Sequence, residues 1–138
     1  MGAMRDQTRI SARDEHGQLL FDVFAQDCPS RPAMEHVTSR WGLLAILALR
    51  DGSVRFNALR RRVDGVSEKM LSQTLHALER DGFVDRQAQL TIPPRVDYSL
   101  TPLGLEVSHQ LFALVELLEG RMPAILLAQQ RYDQAKSG

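Results

Sequence analysis

The chain has a single cysteine, Cys28, among its 138 residues. One cysteine excludes an intrachain disulfide framework and an all-cysteine zinc site. No apolar run approaches the ~20 residues of a membrane span, and the first residues carry no apolar core of a secretory signal. A reducing cytoplasm is the expected setting. The four histidines, His16, His36, His76 and His109, are dispersed, with no His-x-x-x-His or Cys-His spacing, so a metal site is not expected. A nucleophile elbow, a phosphate loop, a dinucleotide fingerprint and a zinc-protease motif are all lacking. No pair of carboxylates stands apart from the amphipathic pattern. The expectation is therefore a protein that is not an enzyme and needs no cofactor.

Net charge is also lacking: seventeen basic residues balance seventeen acidic ones. Taken alone, this argues against a nucleic-acid binder, because phosphate neutralisation supplies most non-specific affinity. The distribution argues otherwise. Residues 1–31 and 102–138 are each net −1, whereas residues 55–69, with Arg55, Arg60, Arg61, Arg62 and Lys69, are net +3. The positive charge sits mid-chain.

What is present is ordinary for a folded protein: 43% hydrophobic and 25% charged residues, in a length that suits one domain. Residues 1–16 are polar and unpatterned and read as a flexible arm. Met1-Gly2-Ala3 reads as the scar of a cloned tag before a natural start at Met4. The single folded domain is expected over 17–138. Leu19, Leu20, Phe21, Val23 and Phe24 predict a short helix over 17–27, ended by Cys28-Pro29. Pro32 suits the start of a helix running through Trp41. Residues 43–49, LLAILAL, are apolar all round and predict a helix buried on every side. Asp51-Gly52 ends it, and Ser53-Val54-Arg55 has room for only a minimal strand.

Residues 56–63 place Phe56, Leu59 and Val63 at helical spacing, and Asp64-Gly65 signals a turn. Ser67 is the expected cap of a helix over 68–81. Its apolar stripe is Met70, Leu71, Leu75 and Leu78. Lys69, Ser72, Gln73, His76 and Arg80 follow the other face. Alternating residues predict strands at 83–87 and 95–100, joined by a loop over 88–94 that Pro93-Pro94 stiffens. Thr101-Pro102 then caps a long helix. Leu103, Val107, Leu111, Leu114, Leu118, Met122 and Ile125 step by 4, 4, 3, 4, 4 and 3, a sustained seam suited to a helix–helix interface. Pro123 should interrupt it near its end, and the tail past Tyr132 reads as frayed.

Two helices around Asp64-Gly65-Val66 form a helix-turn-helix, and the hairpin after them supplies a wing. The major groove admits one helix, and its base edges are read by side chains that donate and accept. Gln73 can bond bidentately to adenine, and Lys69 can reach phosphate or guanine. The bland alternative for this face is an ordinary solvated surface, and for Arg60-Arg61-Arg62 a solvated charge run.

One set of residues goes further. Cys28-Pro29, Trp41 before an apolar helix, and Arg55-Phe56-Asn57-x-Leu59-Arg60 come first. Ser67-x-Lys69-Met70-Leu71-Ser72-Gln73-x-Leu75-x-x-Leu78-Glu79-x-Asp81-Gly82 and Pro93-Pro94-Arg95-Val96-x-Tyr98-Ser99-Leu100-Thr101-x-x-Gly104 follow. Together they resemble the HxlR family of bacterial winged helix-turn-helix transcription regulators, over residues 28–104 continuously. The resemblance implies a mainly α fold with a small β-wing, a DNA-binding core over about 33–101 and a long C-terminal dimerisation helix over about 102–133. It implies a homodimer on a pseudo-palindromic operator in double-stranded DNA, acting as a repressor under a small-molecule effector or cysteine modification. Ser67, Lys69, Ser72, Gln73 and His76, with Asn57 and the wing's Arg95, are the implied DNA contacts. Leu103, Val107, Leu111, Leu114 and Leu118 are the implied dimer interface, against the alternative that the seam packs on the chain's own core.

Relatives in this family sense oxidants or quinones through a cysteine near this place, which makes Cys28 a candidate redox sensor. Against that stands the usual role of a free cysteine as a small buried apolar residue, and no lysine or histidine adjoins it. The sequence departs from its relatives at Thr74, often basic there, and over 87–91, which lacks the usual basic or aromatic wing residues. The rival functional reading is a winged-helix module that binds protein and not DNA.

Overall fold

The computed structural model describes residues 15–16 and 20–138. Residues 1–14 of the arm expected over 1–16, and residues 17–19 of the first expected helix, lie outside the described residues. The rest of that helix does not form. Residues 20–29 make a succession of turns, held by Ala25 N–H to Asp22 O and Cys28 N–H to Ala25 O. Arg31 fixes them, donating through Nε and one Nη to the carbonyls of Val23 and Phe24, each at 2.8 Å. The apolar residues here are too few to bury a helical face, and Phe24 stays exposed.

The first helices are α1 (Ser30–Thr38) and α2 (Arg40–Ala48). The helix expected to run through Trp41 is thus two helices, broken at Ser39. That residue is extended and its hydroxyl serves both ends. It donates to His36 O at 2.9 Å and accepts from Gly42 N–H at 3.1 Å, the usual competition of serine with a continuing helix. Along α2, Ala45 and Ile46 are fully buried with Leu49 just beyond. Leu44, expected to be buried, is exposed instead. The helix is covered on most of its circumference but opens on one side.

The strand β1 (Val54–Arg55) leads into α3 (Phe56–Arg62). Leu59 and Val63 enter the core. Gly65, at φ +92°, turns the chain where an L side chain would be strained. Then α4 (Glu68–Arg80) begins, with Ser67 Oγ accepting from Met70 N–H at 3.1 Å. Leu71, Leu75 and Leu78 are fully buried, each worth roughly 1.5–3 kcal/mol of transfer free energy. Met70 was expected in this stripe but is exposed. It sits about 100° around the helix from Leu71, on the N-terminal turn that projects past the core.

The wing is β2 (Val84–Gln89) and β3 (Arg95–Leu100), and the sheet order is β1-β3-β2, antiparallel throughout. Here β2 runs two residues beyond its expected end. Ala88 pairs with Val96 and Gln89 with Arg95, so only residues 90–94 form the loop. Backbone pairing extends β2 through residues that are all exposed and so leave no alternation to read.

Two helices close the chain, α5 (Pro102–Gly120) and α6 (Met122–Ser137), broken at Arg121. Thr101 caps α5, accepting from Gly104 N–H at 3.0 Å and donating to Gly82 O at 2.6 Å. A Cβ on Gly104 would fall 1.9 Å from the Phe83 carbonyl oxygen. Only glycine lets α5 approach the sheet so closely. Pro123 sits in the first turn of α6, where its missing N–H costs nothing. The tail read as frayed is helical to Ser137, whose hydroxyl bonds Asp133 O at 2.7 Å.

Candidate nucleic-acid interface

The buried stripe of α4 turns its opposite face to water. Ser67, Lys69, Ser72, Gln73 and His76 are all exposed on it. Ser67 Oγ is already engaged as the cap of Met70 N–H, and the other first-turn N–H groups have no partner within the helix. Gln73 borders a hollow of about 160 Å³ with His36, Ser39 and Thr74. His36 Nδ1 lies 2.5 Å from Asp81 Oδ2. Asp81 ends α4, so this pair ties α1 to the end of the exposed helix.

On the other side, Ser72 and His76 border a hollow of about 240 Å³ together with Arg86 and Tyr98 of the wing. Arg86 is exposed and was missed from the sequence. Two-residue alternation puts it on the same face as buried Val84, which reads as inward. The sheet outruns the core there, so that face opens beside α4. Asn57 lies at a third hollow, about 530 Å³, with Arg60, Arg61 and Gly65. The turn before α4 is thus flanked by the densest positive charge in the chain. The side chain of Thr74, the departure from the family, is spent on Met70 O at 2.8 Å.

Arg95 does not stand free. Its Nε lies 3.1 Å from Oδ1 and 3.0 Å from Oδ2 of Asp97. Asp97 is buried and also accepts from Gln89 Nε2 at 3.4 Å. The implied wing contact therefore has an internal partner.

The C-terminal seam divides. Leu111 is only 7% exposed and belongs to the subunit's own core, with Val107 packed against it. Leu103, Leu114 and Leu118 remain 46%, 47% and 46% exposed. The residues of α5 that face inward are Gly104, Ser108 and Leu111. Two of these three are not hydrophobic, which is why the heptad steps alone did not separate the two faces.

Cys28 lies at the start of α1, partly buried. Its Sγ accepts from Ser30 Oγ–H and from Asp22 N–H, each at 3.3 Å. The Ser30 hydroxyl is the main cause that holds this thiol below the usual range, with the Ser30 backbone N–H second. The stabilising groups are a hydroxyl and backbone amides, not a neighbouring cation. Among the described residues no three metal-ligating side chains cluster, and no helix is long and apolar enough to cross a membrane.

A capped helix presented beyond a glycine turn, a hairpin beside it and basic residues around the turn define a winged helix-turn-helix DNA-binding protein. The particular kind follows from comparison. A sequence profile described as HxlR-like helix-turn-helix matches residues 36–125, and the chain belongs to that family. It is similar to the HTH-type transcriptional regulator YtfH of Escherichia coli K12, with 51% identity over 120 residues, 87% of this chain and 92% of that protein. Among solved structures it is similar to the transcriptional regulator YtfH of Salmonella typhimurium, at 52% identity and TM-score 0.77, covering 80% of this chain and 98% of that one. It is also similar to the redox regulator HypR in its oxidised form, at 31% identity and TM-score 0.62, covering 67% and 96%. The protein is a DNA-binding transcription regulator.

Proposed function

We propose that the chain acts as a cytoplasmic homodimeric repressor, with residues 33–101 as the DNA-binding core and residues 102–133 as the dimerisation segment. The observation that carries this reading is the polar outer face of α4. Lys69, Ser72, Gln73 and His76 stand exposed beside Arg86 of the wing and across the turn from Asn57, Arg60 and Arg61. Gln73 reads a base edge, Lys69 anchors phosphate, and the N-terminal amides of α4 face the backbone. Leu103, Leu114 and Leu118 supply an exposed apolar strip for a second copy. A twofold axis between two such subunits matches a pseudo-palindromic operator with half-sites about one helical turn apart.

Repression follows if the occupied operator excludes polymerase, and induction if the spacing of the two α4 helices changes. The polarised Cys28, together with the likeness to the redox regulator HypR, supports one route to that change. Oxidation of the thiolate would give a disulfide to a partner's Cys28 or to a small thiol, the oxidant taking the two electrons. Fluorescence anisotropy of a duplex from the gene's own upstream region tests the whole reading, across a salt series, before and after diamide and then dithiothreitol. Tight, salt-dependent binding supports the regulator, and reversible loss on diamide supports the thiol switch. Absence of binding to this duplex and to random DNA at low salt would favour a protein-interaction module.

A further inference from the structure

A cleft of about 510 Å³ lies between α2, the end of α3 and α5. Leu47, Val63, Phe112 and Val115 form its apolar walls, and exposed Leu44 borders it. Two cations border it, exposed Arg62 and the partly buried Arg50, and only Arg50 is stacked on an aromatic ring. The Arg50 guanidinium carbon is 3.6 Å from the centroid of the Phe112 ring, and Arg50 Nε is buried without a hydrogen-bond partner. None of the ion pairs among the described residues involves Arg50.

A buried donor on a charged group is rarely left unmet in a folded protein, because its desolvation is uncompensated. A guanidinium flattened on an aromatic ring keeps its in-plane edge available. The in-plane donors of a guanidinium match a carboxylate in a two-point fork. The apolar walls suit an apolar body on the same molecule. Asp51, Asp64 and Glu119 also border the cleft but are exposed. Water screens them and exposed Arg62 alike, and what repulsion is left opposes a multiply charged anion more than a single carboxylate.

We propose that this cleft is the regulator's effector site and that its ligand is an organic monocarboxylate with an apolar body, its carboxylate seated on Arg50. The proposal rests on the regulator reading above. The cleft is placed for control. Val63 and Asp64 immediately precede the Gly65 turn and the Ser67 cap of α4, while Phe112 and Val115 lie to either side of the exposed Leu114 along α5. A ligand touching both elements favours whichever arrangement of α4 against α5 fits it best, and so shifts the spacing of the reading helices.

Calorimetric titration of the full chain tests the site without DNA, using 2-naphthoate beside neutral 2-naphthamide and inorganic phosphate. The expected result is saturable naphthoate binding, at least tenfold weaker for the amide and at least tenfold weaker in Arg50→Gln. Val115→Trp, which adds bulk to the α5 wall, should abolish it too, and serves alone if Arg50→Gln does not fold by circular dichroism. No naphthoate binding, or binding indifferent to both substitutions, overturns the site. Phosphate binding as tightly as naphthoate also overturns it. In anisotropy, naphthoate should weaken operator binding at least tenfold in the wild type and not in Arg50→Gln; saturable binding without that effect overturns the effector role. A wild type that binds no duplex would sink the regulator reading, while calorimetry would still decide the carboxylate site.

Discussion

Arg95 clamps Asp97 two residues along the same strand, with its Nε between both carboxylate oxygens at 3.1 and 3.0 Å. Residues at i and i+2 share one face of a strand, so this is a same-face pair at the loop end of the wing. Because Asp97 is buried, Arg95→Ala leaves a carboxylate with only the long Gln89 contact. The expected cost is about 1–3 kcal/mol in urea unfolding. Adding Asp97→Asn should recover part of it, since the unpaired charge is then gone. An Arg95→Ala protein that unfolds like the wild type but loses DNA affinity would return Arg95 to the DNA contacts.

The proposed function divides the outer face of α4 into a reader and an anchor. Gln73→Ala should weaken operator binding by about 1–3 kcal/mol and leave random-duplex binding nearly unchanged. Lys69→Ala should weaken both and lower the salt slope by about one. Equal losses on the two duplexes for Gln73→Ala would exclude base readout by that residue. Arg86→Ala should resemble Lys69→Ala, because Arg86 stands beside Ser72 and His76 on the wing.

Leu111 and Leu118 lie on one heptad seam but have different neighbours. Leu111 is in the subunit core and Leu118 is half exposed. Leu111→Ala should therefore cost roughly 2–5 kcal/mol of folding stability and leave the assembly state alone. Leu118→Asp should keep the thermal unfolding of the subunit fold and convert a dimer to a monomer. Light scattering with circular dichroism checks both, and a stable, well-folded dimer of Leu118→Asp would remove that residue from the interface.

These contrasts mark what could be read in the residues. The capped α4, the glycine turn, the minimal β1 and the proline-led α5 were legible because each rests on local chemistry: Ser67, Gly65, the short Ser53–Arg55 stretch and Thr101-Pro102. The break at Ser39 was not, because a helix read from Pro32 through Trp41 passes over a hydroxyl that serves two helices at once. The division of the α5 seam was not either. It depends on Gly104 meeting the Phe83 carbonyl, a contact between residues distant in sequence. The internal partner of Arg95 was hidden for a similar reason: it is two positions away, but Asp97 reveals itself as buried only once β3 is the central strand.

Cys28 offers a pH test of the thiol. The Ser30 hydroxyl, first among the causes, stabilises the thiolate and lowers the pKa from that of an ordinary cysteine. Iodoacetamide alkylation of the native protein should therefore rise with pH at a lower midpoint than that of the unfolded chain, because the thiolate is the nucleophile. Ser30→Ala removes the larger donor and should move the midpoint up, slowing alkylation at neutral pH. The linked stability has a definite sign. A group whose pKa is depressed on folding contributes above its unfolded pKa, and that contribution disappears as pH falls through the folded value. Ser30→Ala should thus lower the unfolding temperature more at alkaline than at acidic pH, with Cys28→Ser showing no such dependence. Identical alkylation profiles for native and unfolded chains would show that the Ser30 and Asp22 contacts do not poise the thiol.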